Sequence, residues 1–410
     1  MSRRVRTREP ERNQVAIRFE APEDVLPADH RARVLWHLLG QLDLSPLLAE
    51  AKSVEGRQGR DVLSVRMLLT LWLYAISEGI GSGREIERRL KTDPAFQWIV
   101  GDQSVGRTKL NEFRVSHRVA LDKIFTDVLA VLLHKQLLSL DLVAQDGTRV
   151  RASASAPSFR RAESLEACRE QAQLHLRAVL AEDDDEADLR ARKAREAKAR
   201  EHAERVEAAI AAVKQLDNGR RDSKPRASTT DPEARVMKMP DGGFRPAFNV
   251  QLATAGSPEG GPRTIVGARV TNVGSDMGSV KPMLDDIAQR TGRLPETLLA
   301  DANHASFEDI KDAAARGVEA LVSVPKRSKN AKAQAERAPE IEAWLKRMET
   351  DEAKEKFRAR ASLCELTNAH AKSRFALSTL LVRGIEKVTC VVLLTALVSN
   401  LLAHAPSLLA

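Results

Sequence analysis

Two aspartates stand where a carboxylate could do metal-dependent chemistry. Asp146 closes the stretch LVAQD and Asp301 closes TLLAD, and each follows an apolar run typical of a buried strand. A strand end aims a side chain rigidly, and carboxylate oxygens suit the hard cation Mg²⁺. Two such ions about 3.5–4 Å apart can activate a nucleophile and stabilise a leaving oxygen in phosphodiester cleavage. For either aspartate alone, a cap or turn residue is the alternative interpretation.

The elements that must position these aspartates are predicted from a change of periodicity after residue 137. Residues 138–146 read as a strand ending at Asp146, Gly147 permits a tight turn, and residues 148–152 alternate as a return strand. Further elements are predicted as strands over 247–254, 264–270, 297–300 and 320–324, and as helices over 278–290 and 306–316. This order predicts an α/β fold with a mixed sheet flanked by helices.

The rest of the chain is predicted to surround this core. Residues 1–28 are predicted to form a flexible basic arm, and residues 29–136 an all-helical domain whose basic helix starts suit phosphate contact. Residues 163–226 are rich in Ala, Arg, Glu and Lys, which predicts a helical insertion that ends in a basic loop. The α/β core then comprises residues 137–162 and 227–404.

Composition narrows the class of partner. The 410 residues are 43% hydrophobic and carry a net charge of +8, which favours a folded protein with a polyanionic partner such as nucleic acid. With only 4 Trp, 1 Tyr and 10 Phe, a surface that stacks the bases of single strands is disfavoured. Three distant cysteines, Cys168, Cys364 and Cys390, exclude a disulfide scaffold and a cysteine zinc site and suit a reducing cytoplasm.

One uncharged segment is long enough to cross a bilayer. Residues 388–410 carry no formal charge, but they include Asn400, His404 and Pro406, and the proline is expected to break the helix. A buried C-terminal helix is therefore favoured, and no membrane partner is expected. The basic start of the chain has no apolar segment behind it, so no secretory signal is predicted.

Three sequence blocks, in order along the chain, carry a family resemblance. They are AQDGTRVRASAS, TTDPEARVMKMPDGGFRPAFNVQLAT and LLADANHAS. Over residues 30–404 the chain resembles the DDE transposases of bacterial insertion sequences that carry a helical domain before the catalytic core. The resemblance implies an RNase H-like core, in which one Asp ends the opening strand, a second follows the fourth strand, and a Glu lies on a later helix.

The family's Tyr-Arg-Glu-Lys signature maps onto FRARASLCELTNAHAK. Phe357 stands at the Tyr position, and Arg360, Glu365 and Lys372 follow it. The change from Tyr to Phe removes a hydroxyl that could contact DNA and leaves the carboxylate set complete. Lys372 lies two helical turns beyond Glu365 on the same face, from which it could approach a phosphate.

The resemblance also implies the chemistry and the partners. Asp146, Asp301 and Glu365 would be the catalytic residues and the ligands of two Mg²⁺ ions, for which Mn²⁺ is expected to substitute. The reaction would be hydrolytic nicking at the ends of a mobile element, followed by attack of the freed 3′-OH on target DNA. The expected partners are the terminal inverted repeats and the target, both double-stranded DNA. A homodimer on DNA in the bacterial cytoplasm is expected.

Basic residues near this centre are expected to hold phosphates, while the helical domain recognises the element's ends. The expected DNA-binding residues are Arg149, Arg151, Lys326, Arg327, Lys329, Arg360 and Lys372. Two other polar residues are expected to have no part in catalysis. Asp276 is expected to cap the helix over 278–290, and His304 to face solvent.

Two alternative functions stay open at this stage. One is a non-catalytic DNA-binding repressor derived from a transposase, which the intact carboxylate set disfavours. The other is an RNase H-like nuclease that cuts without strand transfer. Labelled element ends would distinguish the three, since the products are binding only, cutting only, or cutting and joining.

Overall fold

The structure is a computed structural model of the full chain. It describes residues 21–49, 62–181, 189–217, 224–325 and 338–410. Three predicted DNA contacts, Lys326, Arg327 and Lys329, lie outside these residues, as do most of the basic arm and residues 218–223 of the basic loop.

The described residues before position 137 are helical, and they pack around one apolar helix. The helices are α1 Arg31–Gly40, α2 Val65–Ser77, α3 Gly83–Arg89, α4 Pro94–Val100, α5 Arg107–Ser116 and α6 Arg118–His134. Ser64 starts α2 by accepting a hydrogen bond from the amide of Met67, and eleven residues of the helix are buried. The indole of Trp72 donates to the carbonyl of Leu110, 2.9 Å away, which fixes α2 against α5.

A mixed sheet follows the helical region. Its strands are β1 Leu142–Arg151, β4 Arg235–Lys238, β5 Phe244–Ser257, β6 Gly260–Thr271, β7 Thr297–Ala300 and β8 Glu319–Val322. They run in the order β6-β5-β1-β7-β8, with β4 paired to the start of β5. β6, β5 and β1 are antiparallel, whereas β1, β7 and β8 are parallel. The predicted fold class is confirmed: the chain is a mixed α/β protein with an N-terminal helical region, consistent with an RNase H-like core.

The opening strand is longer than predicted. The predicted strand end at Asp146 and the turn at Gly147 are wrong, because β1 continues without a break to Arg151. All of it after Leu142 pairs with β5, from Val143 opposite Ala255 to Arg151 opposite Ala247. The sequence suggested a turn because the apolar run ends there, but the strand continues along β5 after its parallel partner β7 has ended.

Helices cover the sheet on both faces. On one face lie α9 Val280–Thr291 and α10 Phe307–Ala315, and α9 contacts both β6 and α6. The next helix, α11 Pro339–Glu349, packs against α10 beside β8, with Trp344 next to Phe307. On the other face lie α12 Asp351–Arg360, a π-helical turn Ala361–Glu365 and α13 Leu366–Ser373. Ala144 of β1, Leu299 of β7 and Leu363 of the π-helical turn share one buried cluster, so the turn sits directly on the parallel strands.

The helical insertion is joined to the core by two short paired strands. Two helices, α7 Ala162–Leu180 and α8 Leu189–Leu216, pack on each other around a small apolar cluster that includes Leu165 and Val206. The short strands β2 Phe159–Arg160 and β3 Ala227–Ser228 pair antiparallel where the insertion leaves and re-enters the core.

The C-terminal helix α14, Ile385–Leu409, lies inside the protein. Its apolar window has a mean hydropathy of 1.9 and is 72% buried, so it has the length and composition of a membrane span but packs as a core helix. The Asn400 side chain accepts from the amide of Ile265 and donates to its carbonyl, both at 2.8 Å, and Ile265 lies on β6, whose described strand partner is β5. The expected break at Pro406 is wrong, because the helix continues through the proline and ends three residues later, at Leu409.

Candidate active site

The strand register places the two predicted aspartates side by side. Ala144 of β1 is paired with Leu299 of the parallel strand β7, and each aspartate lies two residues further along its own chain. Side chains two residues apart point to the same face of a sheet. Asp146 therefore projects toward the face that carries the π-helical turn, and Asp301 lies beside it, close enough for the two charges to interact. Asp146 lies within β1, whereas Asp301 directly follows β7.

The two carboxylates have opposite electrostatic settings. Burial raises the pKa of Asp146, and the negative charge of Asp301 adds to the rise. Burial acts in the same direction on Asp301, but a hydrogen bond and the charge of His304, with hydrogen bonds from Asn303, lower its pKa to about 2. The pair thus combines an ionised carboxylate with one whose negative charge is disfavoured, and a bound cation would relieve that difference.

Asn368 on α13 reaches Asp146 from the opposite helix. Its side-chain nitrogen donates to Oδ2 of Asp146, 3.0 Å away. Its side-chain oxygen is buried and, within the described part of the chain, has no hydrogen-bond partner. Asn368 follows Glu365 by about one helical turn, so the signature segment contacts the aspartates through this amide.

Glu365, the third predicted carboxylate, is bound to an arginine. Its Oε1 lies 2.6 Å from a guanidinium nitrogen of Arg360, and its side chain is 54% exposed. Burial acts against the charge of Arg360, but the neighbouring Cys364, Glu365, Asp146 and Asp301 raise its pKa. Arg360, which the sequence assigned to DNA, is therefore a cation close to all three predicted catalytic carboxylates.

The donor chemistry fits a divalent cation in part. Asp146 and Asp301 supply adjacent hard oxygen ligands, and the unpartnered oxygen of Asn368 adds an oxygen donor beside them. Among the described residues, no group of three or more His, Cys, Asp or Glu side chains is placed to hold a metal ion. The structure brings two of the three carboxylates together, and the third is paired with Arg360.

Behind the aspartates lies a buried polar network. His304 is fully buried, and its Nδ1 is 2.6 Å from Oδ1 of Asp301. Its Nε2 is 3.3 Å from Oε1 of Gln251 on β5. The Gln251 amide donates to Asp276, 2.6 Å away, and Asp276 is ion-paired at 2.9 Å with Arg149. This row of contacts leads from Asp301 across β5 to Arg149.

Two sequence interpretations of this network are wrong. His304 does not face solvent, because the short helical turn after Asp301 folds the ring back under the sheet. Asp276 does not cap α9, which begins after Ser279; the aspartate is 3% exposed and accepts from Asn249 and Gln251. A sequence signal existed, since Asn249 and Gln251 alternate as polar residues on one face of an otherwise apolar strand.

The remaining predicted DNA-binding residues differ in burial and in whether another group already binds them. Lys372 is partly buried, and burial together with the charge of Arg149 lowers its pKa, while the charge of Asp146 opposes the shift. Arg149 is engaged by Asp276 and by the carbonyl of Gly274, at 2.7 Å. Arg151 is exposed at the end of β1.

A basic cleft lies beside the same signature helix. It has a volume of about 890 Å³ and is bordered by the helical region, the β5–β6 hairpin, α13 and α14. Arg263, His370 and Arg374 line it, and burial and the charges of the two arginines lower the pKa of His370. This cluster is not evident in the sequence, because its members come from separate segments of the chain.

Comparison with known protein families gives two matches. Residues 20–116 match the family described as Transposase domain (DUF772), and residues 322–403 match the family described as Transposase DDE domain. The first range falls on the helical region, and the second runs from β8 into α14 and includes Glu365. Asp146 and Asp301 lie between the two matched ranges. No curated protein and no solved structure matches the chain.

Proposed function

We propose that the chain is a DDE-type transposase that cuts DNA at the ends of its element and joins the freed 3′ ends to a target, which the matches of residues 20–116 and 322–403 to two transposase domain families support. Asp146, Asp301 and Glu365 are the proposed catalytic residues. The observation that carries the proposal is the position of Asp146 on β1 and of Asp301 at the end of the adjacent parallel strand β7, with Asp146 bonded to Asn368 of the signature segment.

The proposed metal site uses two Mg²⁺ ions, with Mn²⁺ as a substitute. Asp146 and Asp301 would hold the ions from the sheet side, and Glu365 would complete the set from the π-helical turn. When bound, the ions activate the attacking oxygen and stabilise the leaving oxygen of the phosphodiester. The protein's own contribution is orientation: Asn368 holds one oxygen of Asp146, and His304 holds one oxygen of Asp301.

Arg360 is the proposed counter-charge of this centre. It is paired with Glu365, which is half exposed on a π-helical turn. Short π-helical segments occur often at functional sites, where they redirect side chains. Once Glu365 turns toward the aspartates, the Arg360 guanidinium becomes available to a DNA phosphate.

The proposed DNA path runs from the carboxylates into the basic cleft. Lys372 lies one turn beyond Asn368 on the same face of α13, and His370 of the same helix lines the cleft. Arg263 and Arg374 would hold phosphates there, and Arg151, Lys326, Arg327 and Lys329 would extend the contact. The helical region is proposed to recognise the terminal repeats. Two copies of the chain are proposed to act together on DNA in the cytoplasm.

A cleavage and joining assay tests the proposal. The DNA flanking the gene supplies the element ends, which are labelled and incubated with the full chain and Mg²⁺. Asp146→Asn, Asp301→Asn and Glu365→Gln are each expected to abolish cutting and joining while they leave DNA binding unchanged, because binding depends on phosphate contacts elsewhere. Asp351→Asn is the matched control, since that carboxylate is fully exposed on α12 and is expected to be neutral.

The products distinguish this function from its alternatives. Binding without cleavage in the wild-type protein would indicate a repressor, and cleavage without joining would indicate a nuclease. Normal cutting by any of the three site variants would remove that residue from the catalytic set.

A further inference from the structure

We infer that His304, Gln251 and Asp276 form a positioning relay that fixes the orientation of Asp301 toward its metal ion. The inference rests on the proposed function, because it assigns a role to groups behind a proposed metal ligand. None of the three residues belongs to the carboxylate set, and each lies on a different segment of the fold.

The first link of the relay holds the carboxylate itself. Oδ1 of Asp301 accepts from the Nδ1 of His304 at 2.6 Å and from the amide of Asn303 at 2.9 Å. Oδ2 accepts from the side chain of Asn303 at 2.9 Å. Asp301 directly follows β7, where ladder hydrogen bonds no longer restrain the chain, so these local contacts set the rotamer of the side chain.

The second link holds the imidazole. His304 is fully buried, and its Nε2 faces Oε1 of Gln251. Gln145 donates to the same oxygen at 3.1 Å and to the hydroxyl of Ser279 at 3.0 Å. The ring is therefore held at both nitrogens, and α9 is tied to the relay through Ser279.

The third link fixes which way the Gln251 amide points. Its nitrogen donates to Oδ1 of Asp276 at 2.6 Å, and a carboxylate oxygen can only accept. The oxygen of Gln251 must then face His304. Asp276 is held in turn by Asn249 at 2.7 Å and by Arg149 at 2.9 Å, so its buried charge is compensated.

Gly147 provides the space for this arrangement. A Cβ at this position would lie 2.2 Å from both Oδ1 of Asp276 and Nε2 of Gln251. The glycine therefore allows the carboxylate and the amide to approach β1 next to Asp146, in the middle of a strand where glycine is otherwise unfavourable.

Such a relay matters because a metal ligand must be held in one orientation. Groups that hydrogen-bond to metal-binding side chains fix their geometry, and the loss of such a group lowers metal affinity by about 10- to 100-fold. A purely structural role for His304 would instead change stability and leave the affinity of the folded protein unchanged.

The test measures Mn²⁺ binding to the full chain by electron paramagnetic resonance of the free ion, without DNA. His304→Ala is expected to weaken Mn²⁺ binding by about 10- to 100-fold. His304→Asn keeps a nitrogen donor near Asp301 but loses the link to Gln251, so an intermediate loss is expected. DNA affinity should stay at the wild-type value in both variants. The Asn variant keeps the test usable if the Ala variant fails to fold.

His404→Asn is the matched control. His404 lies on α14 and is also a buried histidine, 2% exposed. It is hydrogen-bonded to Thr264 of β6 at 2.7 Å. Its substitution is expected to lower the melting temperature and to leave Mn²⁺ affinity unchanged.

Two further outcomes decide against the relay in different ways. Wild-type Mn²⁺ affinity in folded His304→Ala and His304→Asn, combined with a loss in Asp301→Asn, would overturn the relay and leave the proposed function standing. Unchanged affinity in Asp301→Asn would overturn the metal assignment of Asp301 and the relay with it.

Discussion

At the scale of single residues, the site is defined by the unequal environments of two neighbouring carboxylates. Asp146 lies in a strand with few groups to stabilise its charge, whereas Asp301 has His304 and Asn303 as donors. A carboxyl whose pKa is raised in the folded state opposes folding when it ionises, and one whose pKa is lowered favours folding. The two aspartates should therefore have opposite effects on stability in the metal-free protein.

This contrast gives a prediction about pH. At pH 7 in EDTA, Asp146→Asn is expected to raise the free energy of unfolding, because it removes a disfavoured charge. Asp301→Asn is expected to lower the free energy of unfolding by about 1–2 kcal/mol. The reason is that the lowered pKa of Asp301 stabilises the folded protein at any pH above 3.8, the ordinary pKa of this carboxyl. That contribution is lost as the pH falls from about 4 toward 2, so the deficit of the Asp301 variant should shrink at acidic pH.

Urea unfolding at pH 7 and pH 3 measures both effects, with Asp351→Asn as the exposed control. Destabilisation by Asp146→Asn at pH 7 would contradict the electrostatic interpretation of this pair.

At the scale of elements, the helical insertion is separable from the sheet. It leaves and returns through paired strands, with Phe159 opposite Ser228 and Arg160 opposite Ala227. The apolar cluster between α7 and α8 is separate from the main core. The ends of the insertion are therefore adjacent, and little of the main core depends on it.

We accordingly expect the core to fold without the insertion. Replacement of residues 161–226 by Asn-Gly would close β2 and β3 as a two-residue hairpin, for which this dipeptide is favoured. The shortened chain should unfold cooperatively and retain Mn²⁺ binding, as measured by circular dichroism and titration. Loss of all folded protein would show that the insertion is part of the core.

At the scale of the whole molecule, the helical region and the sheet share one interior. A continuous buried cluster includes Trp72 of α2, Phe125 of α6, Val266 of β6 and Leu393 of α14. The basic cleft lies where these same parts meet, so it depends on the complete chain. For this reason, recognition of DNA is better tested by surface substitutions than by truncation at residue 136.

Neutralising the cleft should reduce the salt dependence of DNA binding. Each phosphate contact contributes about −0.9 to the slope of log K against log salt concentration, so Arg263→Gln with Arg374→Gln should flatten the slope by about 2. Affinity should fall equally for element ends and for random DNA, which fluorescence anisotropy can measure. Arg293→Gln, on the loop after α9, is the matched control, and an unchanged slope in the double variant would place the DNA elsewhere.

Much of the fold was predictable from the sequence, because the spacing of apolar residues within each segment indicates whether the segment is a helix or a strand. Apolar alternation located β5, β6, β7 and β8 within a few residues, and the motif blocks gave Asp146, Asp301 and Glu365 as the carboxylate set. Periodicity reports which residues are buried, and it reports this for each segment separately.

Only the tertiary structure decided which polar groups meet. The length of β1 was set by its pairing with β5, and the role of Gly147 by the approach of Asp276 and Gln251. The burial of His304 and the pairing of Glu365 with Arg360 depend on where separate segments come to lie, and the spacing of residues within one segment does not encode those positions. The sequence therefore determined the elements and the candidate carboxylates, and the packing of distant segments determined how each carboxylate is held.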